Sequence, residues 1–147
     1  MKVSELANAL NTTSDTVRHY TKIGLLKPTK RSDNGYKFYN QAQQQRLGFI
    51  LTARHLGFTV KDITEIFNET DKSNPACPIV RDIIEKRLVE VEQKFQQMQT
   101  MMQLMQQARN EWQNLPDKAP DSHSICHLID AFSSTLSGEA AKGENHE

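Results

Sequence analysis

The residues best able to do chemistry in this chain are two cysteines. Cys77 stands in NPACPIVRDIIEKRL, wedged between two prolines, and Cys126 stands in SICHLIDAF. Two such distant cysteines do not make a secreted disulfide framework, and a reducing cytosol keeps them as thiols. Packing, redox chemistry and metal binding remain as their uses. No nucleophile–base pair or phosphate loop accompanies them, so an enzyme is not expected. The second chemically pointed set is basic. Residues 1–55 hold nine Lys and Arg against three acids, a net of +6, whereas residues 56–147 hold nine bases against fifteen acids, a net of −6. Within a neutral chain, that asymmetry points to a polyanion partner for the first part only.

Helical spacing places these residues. In SELANALN, Leu6, Ala7 and Leu10 follow Ser4, a candidate N-cap. Thr13 can cap a second helix, SDTVRHYTKIG, with Val17 and Tyr20 inward and Gly24 as its stop. Two short helices joined by a tight turn form a helix-turn-helix signature. Asn34-Gly35 then marks a hairpin carrying Arg31, Tyr36, Lys37 and Tyr39. A helix from Asn40 to Gly57 opens on a pair, Asn40 and Gln43, resembling a capping box. A short helix, TVKDITEIFN, and a polar linker follow. From Pro78 to Trp112 there is no Gly and no further Pro. Ile84, Leu88, Val91, Phe95, Met98, Met102, Met105 and Trp112 recur at four-three spacing, a coiled-coil seam that needs a partner. A loop, the short apolar helix SICHLIDAF and a tail expected to be disordered complete the chain.

A recognition helix reads base edges in the major groove, and a basic hairpin beside it grips phosphates. Residues 1–70 closely resemble the N-terminal domain of MerR-family transcription regulators, through SELA, TSDTVRHYTKIGLLKP, RSDNGYKFY and RLGFILTARHLGF in the family's order. The likeness extends more loosely to the tail. It implies a mainly α fold: a winged helix-turn-helix domain, then a long dimerisation helix forming an antiparallel coiled coil. The expected segments are a DNA-binding domain over 1–70, a linker over 71–77, the dimerisation helix over 78–113, an effector loop and short helix over 114–136, and the tail over 137–147. Carried over by position, the DNA-binding residues are Thr13, Arg18, His19 and Tyr20 in the recognition helix. Arg31, Tyr36, Lys37 and Tyr39 follow in the wing, and Arg54 in the next helix. The family often has Arg where Lys37 stands; Lys still binds phosphate, without Arg's bidentate fork. The implied partners are double-stranded promoter DNA, RNA polymerase at the same promoter and a second copy of the chain. An effector-driven distortion of the promoter would switch repression to activation.

The resemblance also bears on the cysteines. In an antiparallel dimer, Cys77 comes near the partner's loop over 114–128, which holds His123, Cys126 and His127. Family members that sense divalent metals have Cys at the dimer helix start. They also have an early loop cysteine, and here that region reads NLPDKAP, with none. The expected metal set is therefore Cys77, His123, Cys126 and His127, with Asp117 and Asp121 as further donors. Thiolate mixed with imidazole fits Zn2+ better than copper(I) or mercury, with other soft divalent metals open. The alternatives are an organic or redox effector acting on the same DNA-binding scaffold, and an effector-free DNA-binding dimer. In the blandest of them Cys126 is only a buried apolar residue. No apolar run approaches the ~20 residues of a membrane span, and MKVSELANAL lacks a signal peptide's apolar core. The expected location is the cytoplasm.

Overall fold

The computed structural model describes residues 1–31, 33 and 35–144, with side chains at 30, 31 and 139–144 outside the description. The order is α1 (Val3–Ala9), α2 (Ser14–Lys22), β1 (Lys30–Arg31), β2 (Lys37–Phe38), α3 (Gln41–His55), α4 (Val60–Thr70), α5 (Cys77–Trp112) and α6 (His127–Glu144). The chain forms two compact units, 1–90 and 91–147. Among the described residues no helix is long and apolar enough to cross a membrane.

The first unit is a helical head on one apolar core. Leu6, Val17, Leu26, Leu47, Ile50 and Ile63 are all but inaccessible at its centre. The turn between α1 and α2 is made by Asn11 at φ 53°, a conformation that Asn tolerates better than most side chains. Thr13 caps α2 by accepting from the Thr16 N–H at 3.1 Å. Gly24 and Gly57, at φ 88° and 92°, end α2 and α3 as the sequence predicts. Two starts differ from expectation. Helix α1 begins one residue before Ser4, its cap being Lys2, whose carbonyl accepts from the Leu6 N–H at 2.9 Å. Asn40 caps α3, but the Gln43 side chain accepts from the Lys27 N–H at 2.9 Å rather than closing a capping box. The reciprocal box lies on α4, between Thr59 and Asp62.

The wing is short. Strands β1 and β2 are antiparallel, with Lys30 opposite Phe38 and Arg31 opposite Lys37. Asn34, half of the expected hairpin turn, lies outside the described residues, while Gly35 at φ 81° has the left-handed backbone the turn needs. The chain start joins this sheet. Lys2 bridges Phe38, and Met1 and Tyr39 exchange hydrogen bonds of 2.8 and 2.7 Å.

Helix α5 is 36 residues long, about 54 Å at 1.5 Å per residue. Its first turns complete the head: Ile83 is 5 % exposed in the core, and Ala76, Ile79, Val80 and Ile84 pack against it. Ile84 therefore faces the head, and Trp112 meets Phe132 edge-on at 5.9 Å. The seam residues between them are bare. Leu88, Val91, Phe95, Met98, Met102 and Met105 are each at least half exposed. Helix α6 reaches Glu144, past the point where the sequence reading expects a disordered tail. The physical reason lies in EAAK at 139–142, four strong helix formers in succession.

Candidate nucleic-acid interface and metal loop

The head presents α2 and the wing side by side. A cleft of about 400 Å3 is lined by Arg18 from α2, Gly35, Tyr36 and Lys37 from the wing, and Lys2 and Ser4 from the start of α1. Arg18 and His19 are exposed on α2. Arg18 rests on Asp15 at 3.3 Å, an exposed i,i+3 pair too weak to hold it away from a phosphate or a base. Tyr36 is 62 % exposed, with the Lys2 ammonium 5.9 Å from its ring centre. Lys37 is half-buried on β2, and the side chain of Arg31, opposite it, lies outside the described residues. Arg54 is exposed in the last turn of α3, its Nη1 donating to the Phe58 carbonyl at 2.9 Å.

Two expected contact residues are buried, although Tyr39 also borders the cleft. Tyr20 is 8 % exposed and Tyr39 2 %, both within the core. The Thr21 hydroxyl donates to the Val17 carbonyl at 2.8 Å, so the Tyr39 hydroxyl, 2.7 Å from the same oxygen, is the donor to it. Tyr39 thus ties the wing to α2 from inside and sets their mutual orientation. The physical reason is burial: an aromatic ring next to a hydrophobic centre gains more there than on a wet surface. The exposed Thr13 side chain also caps α2, accepting from the Thr16 N–H. Lys2 is the residue that sequence reasoning passes over. It counts towards the basic half, but its place at the cleft follows from the pairing of the chain start with the wing.

The candidate metal residues fall in two places. Cys77 is exposed in the first turn of α5, at the rim of an apolar groove of about 780 Å3 lined by Phe49, Ile66, Phe67 and Val80. In the second unit, Cys126 is half-buried and immediately precedes α6. Asp130, in the first turn, folds back over it. One of its carboxylate oxygens accepts from the Ser124 hydroxyl at 2.7 Å, the Ile125 N–H at 2.9 Å and the Cys126 N–H at 3.2 Å. The Ser124 hydroxyl chiefly, with the Cys126 and Ile125 amides, holds the Asp130 carboxyl below its ordinary value of 3.8. His127 Nε2 lies 2.7 Å from the Pro116 carbonyl, which can only accept, so Nε2 carries the proton and Nδ1 is the free lone pair. His123 is exposed, its N–H donating to Asp121 at 2.8 Å. Among the described residues of one chain, no three of His, Cys, Asp and Glu gather as a metal-binding group.

Asp130 supports a pH prediction. A carboxyl whose folded value is lowered stabilises the loop fully above 3.8 and loses that contribution as pH falls through the folded value. Amide exchange at Ile125 and Cys126, taken relative to its intrinsic rate at each pH, is expected to accelerate over that acidic window. In Asp130→Ala it is expected to be fast already at neutral pH, which heteronuclear NMR reads directly.

The comparisons with known proteins agree with this arrangement. Residues 1–70 match the description "MerR HTH family regulatory protein" and residues 44–108 match "MerR, DNA binding". The chain is 29 % identical over 140 residues to the HTH-type transcriptional regulator ZntR of Escherichia coli (strain K12), covering 93 % of this chain and 95 % of that one. It is 31 % identical over 106 residues to a Haemophilus influenzae protein named "Probable heavy metal-dependent transcriptional regulator", covering 72 % and 83 %. The crystal structure of the transcription regulator PbrR691 from Ralstonia metallidurans CH34, in complex with lead(II), superposes with a TM-score of 0.68 at 24 % identity, over 89 % of this chain and 98 % of that one. With a helix-turn-helix head, a wing and a long following helix in place, the chain belongs to the MerR family of transcription regulators, DNA-binding proteins rather than enzymes.

Proposed function

We propose that this protein is a cytoplasmic homodimer that sits on a promoter and, on binding a divalent metal, most plainly zinc, distorts the DNA so that RNA polymerase can start. One observation carries the reading. Six apolar side chains of α5, from Leu88 to Met105, are at least half exposed in the single chain, and a second α5 is the surface whose pattern fits them. Antiparallel pairing brings the start of one α5 beside the end of the other. Cys77 of one chain and Cys126 of its partner then hold the ion, with His123 and His127 as nitrogen donors. A site shared in this way needs no complete ligand group inside one chain. His127 suits the role, because a ring that gives one N–H to a backbone carbonyl presents its other nitrogen to a metal. A regulator named for heavy-metal dependence and a relative solved with lead(II) support a metal effector. The test is metal content: protein purified under reducing conditions should hold zinc in fixed ratio to dimers, and Cys77→Ser or Cys126→Ala should remove it. A metal-free protein that still switches transcription would favour an organic effector, for which the apolar groove beside Cys77 is the place.

On the DNA side, Thr13, Arg18, His19, Tyr36, Lys37 and Arg54 form the proposed contact surface, joined by Lys2. Arg18→Ala should weaken operator binding by about 1–3 kcal/mol and relax sequence choice, as expected of a base contact. Lys37→Ala should weaken binding to all sequences alike and lower the salt dependence by about one counterion. An unchanged salt slope would remove Lys37 from the phosphate contacts.

A further inference from the structure

A buried ion pair joins the head to the helix that carries Cys77. Asp62, 6 % exposed, is the buried charged residue among those described. Its Oδ2 accepts from the Thr59 N–H at 2.9 Å, closing the capping box of α4. The same oxygen lies 3.0 Å from Arg87 Nε, close enough for ion pairing though Nε forms no hydrogen bond. Arg87 Nη2 donates to Oδ1 at 3.3 Å, and Nη1 donates to Glu90 at 2.6 Å. One hydrogen bond from Nη2 and the close approach of Nε hold the guanidinium against the buried carboxylate, while Nη1 is held by Glu90. Such a pair adds little net stability over an apolar substitute, whereas removing one partner strands a charge.

The position of this pair gives it a use. Arg87 lies ten residues beyond Cys77 on one continuous helix, about 15 Å away. Asp62 lies just past the turn between α3 and α4. In that turn Phe58 donates to the Ala53 carbonyl and accepts from Arg54, both at 2.9 Å. Arg54 faces the DNA in the function proposed above. We propose that the Asp62–Arg87 pair is the joint that sets the angle between the DNA-binding head and α5, and through which metal at Cys77 re-aims the head. The second half rests on the metal reading; the first half does not.

The test has two arms. In the first, spin labels are attached through Lys22→Cys on α2 and Glu85→Cys on α5, with Cys77 and Cys126 replaced by Ser, and electron-electron resonance reads their separation. A narrow distribution is expected with the pair intact, and a broad one in Asp62→Asn, in Arg87→Gln and in the double variant. Asp62→Asn keeps an acceptor for Thr59, so it spares the helix cap. Equal widths in all four proteins would overturn the joint. In the second arm, the same substitutions are made in the otherwise native chain. Metal-free operator affinity should stay within about twofold, while the ratio of metal-induced to basal transcription falls by at least about fivefold. The double variant should be no worse than either single one. A retained ratio, or a loss matched by falling operator affinity, would overturn the relay and leave a purely structural pair. If the native protein neither binds nor answers to metal, the metal reading and the relay fall together, and the label distances alone decide the joint.

Discussion

A Leu88→Asp chain is expected to sediment as a monomer. Leu88 is 51 % exposed in the single chain and begins the bare stretch of α5, so in the proposed dimer it enters the seam. Two-fold symmetry places the substituted carboxylate there twice. An uncompensated buried charge costs several kcal/mol, and 1.4 kcal/mol is a factor of ten, so association should weaken by more than about a thousandfold. The head does not depend on this residue, because its core closes on Ile83 and Ile84 one turn earlier. The variant should therefore keep a folded head, visible by NMR, and lose cooperative binding to a two-fold symmetric operator. A stable, well-folded dimer of this variant in the analytical ultracentrifuge would show that the seam lies on another face of α5.

Cys77→Ser and Cys126→Ala should each abolish metal-induced transcription and leave metal-free operator binding nearly intact. Neither residue lines the cleft between α2 and the wing, so the DNA surface survives the change. The decisive form of the experiment uses mixed dimers. If each ion takes Cys77 from one chain and Cys126 from the other, a Cys77→Ser chain paired with a Cys126→Ala chain keeps one site whole and loses both thiolates of the other. It should bind half the metal of the parent. If both thiolates came from one chain, the mixed dimer would hold no intact site and bind none. His127→Ala should weaken zinc more than cadmium, since loss of an imidazole matters less to the softer ion.

Much of this protein is written locally in its sequence. The Thr13 cap, the stops at Gly24 and Gly57 and the unbroken stretch from Pro78 to Trp112 each express a preference that neighbouring residues alone satisfy. The family resemblance and the basic first half were legible too. Tertiary structure decided where side chains with two options went. Tyr20 and Tyr39, expected on the DNA side, are packed in the core, with Tyr39 still bordering the cleft. Ile84 and Trp112 match the seam pattern but are taken up by the head and by Phe132, which leaves the stretch between them bare in the single chain. Lys2 reaches the cleft between α2 and the wing because Met1 pairs with Tyr39, 38 positions away. The Asp62–Arg87 pair, 25 positions apart, has no periodic signature. Periodicity and capping report contacts within a turn or two of the chain. The partner of a buried charge or hydroxyl is chosen when distant segments are packed together, because only there does leaving it unpaired become costly.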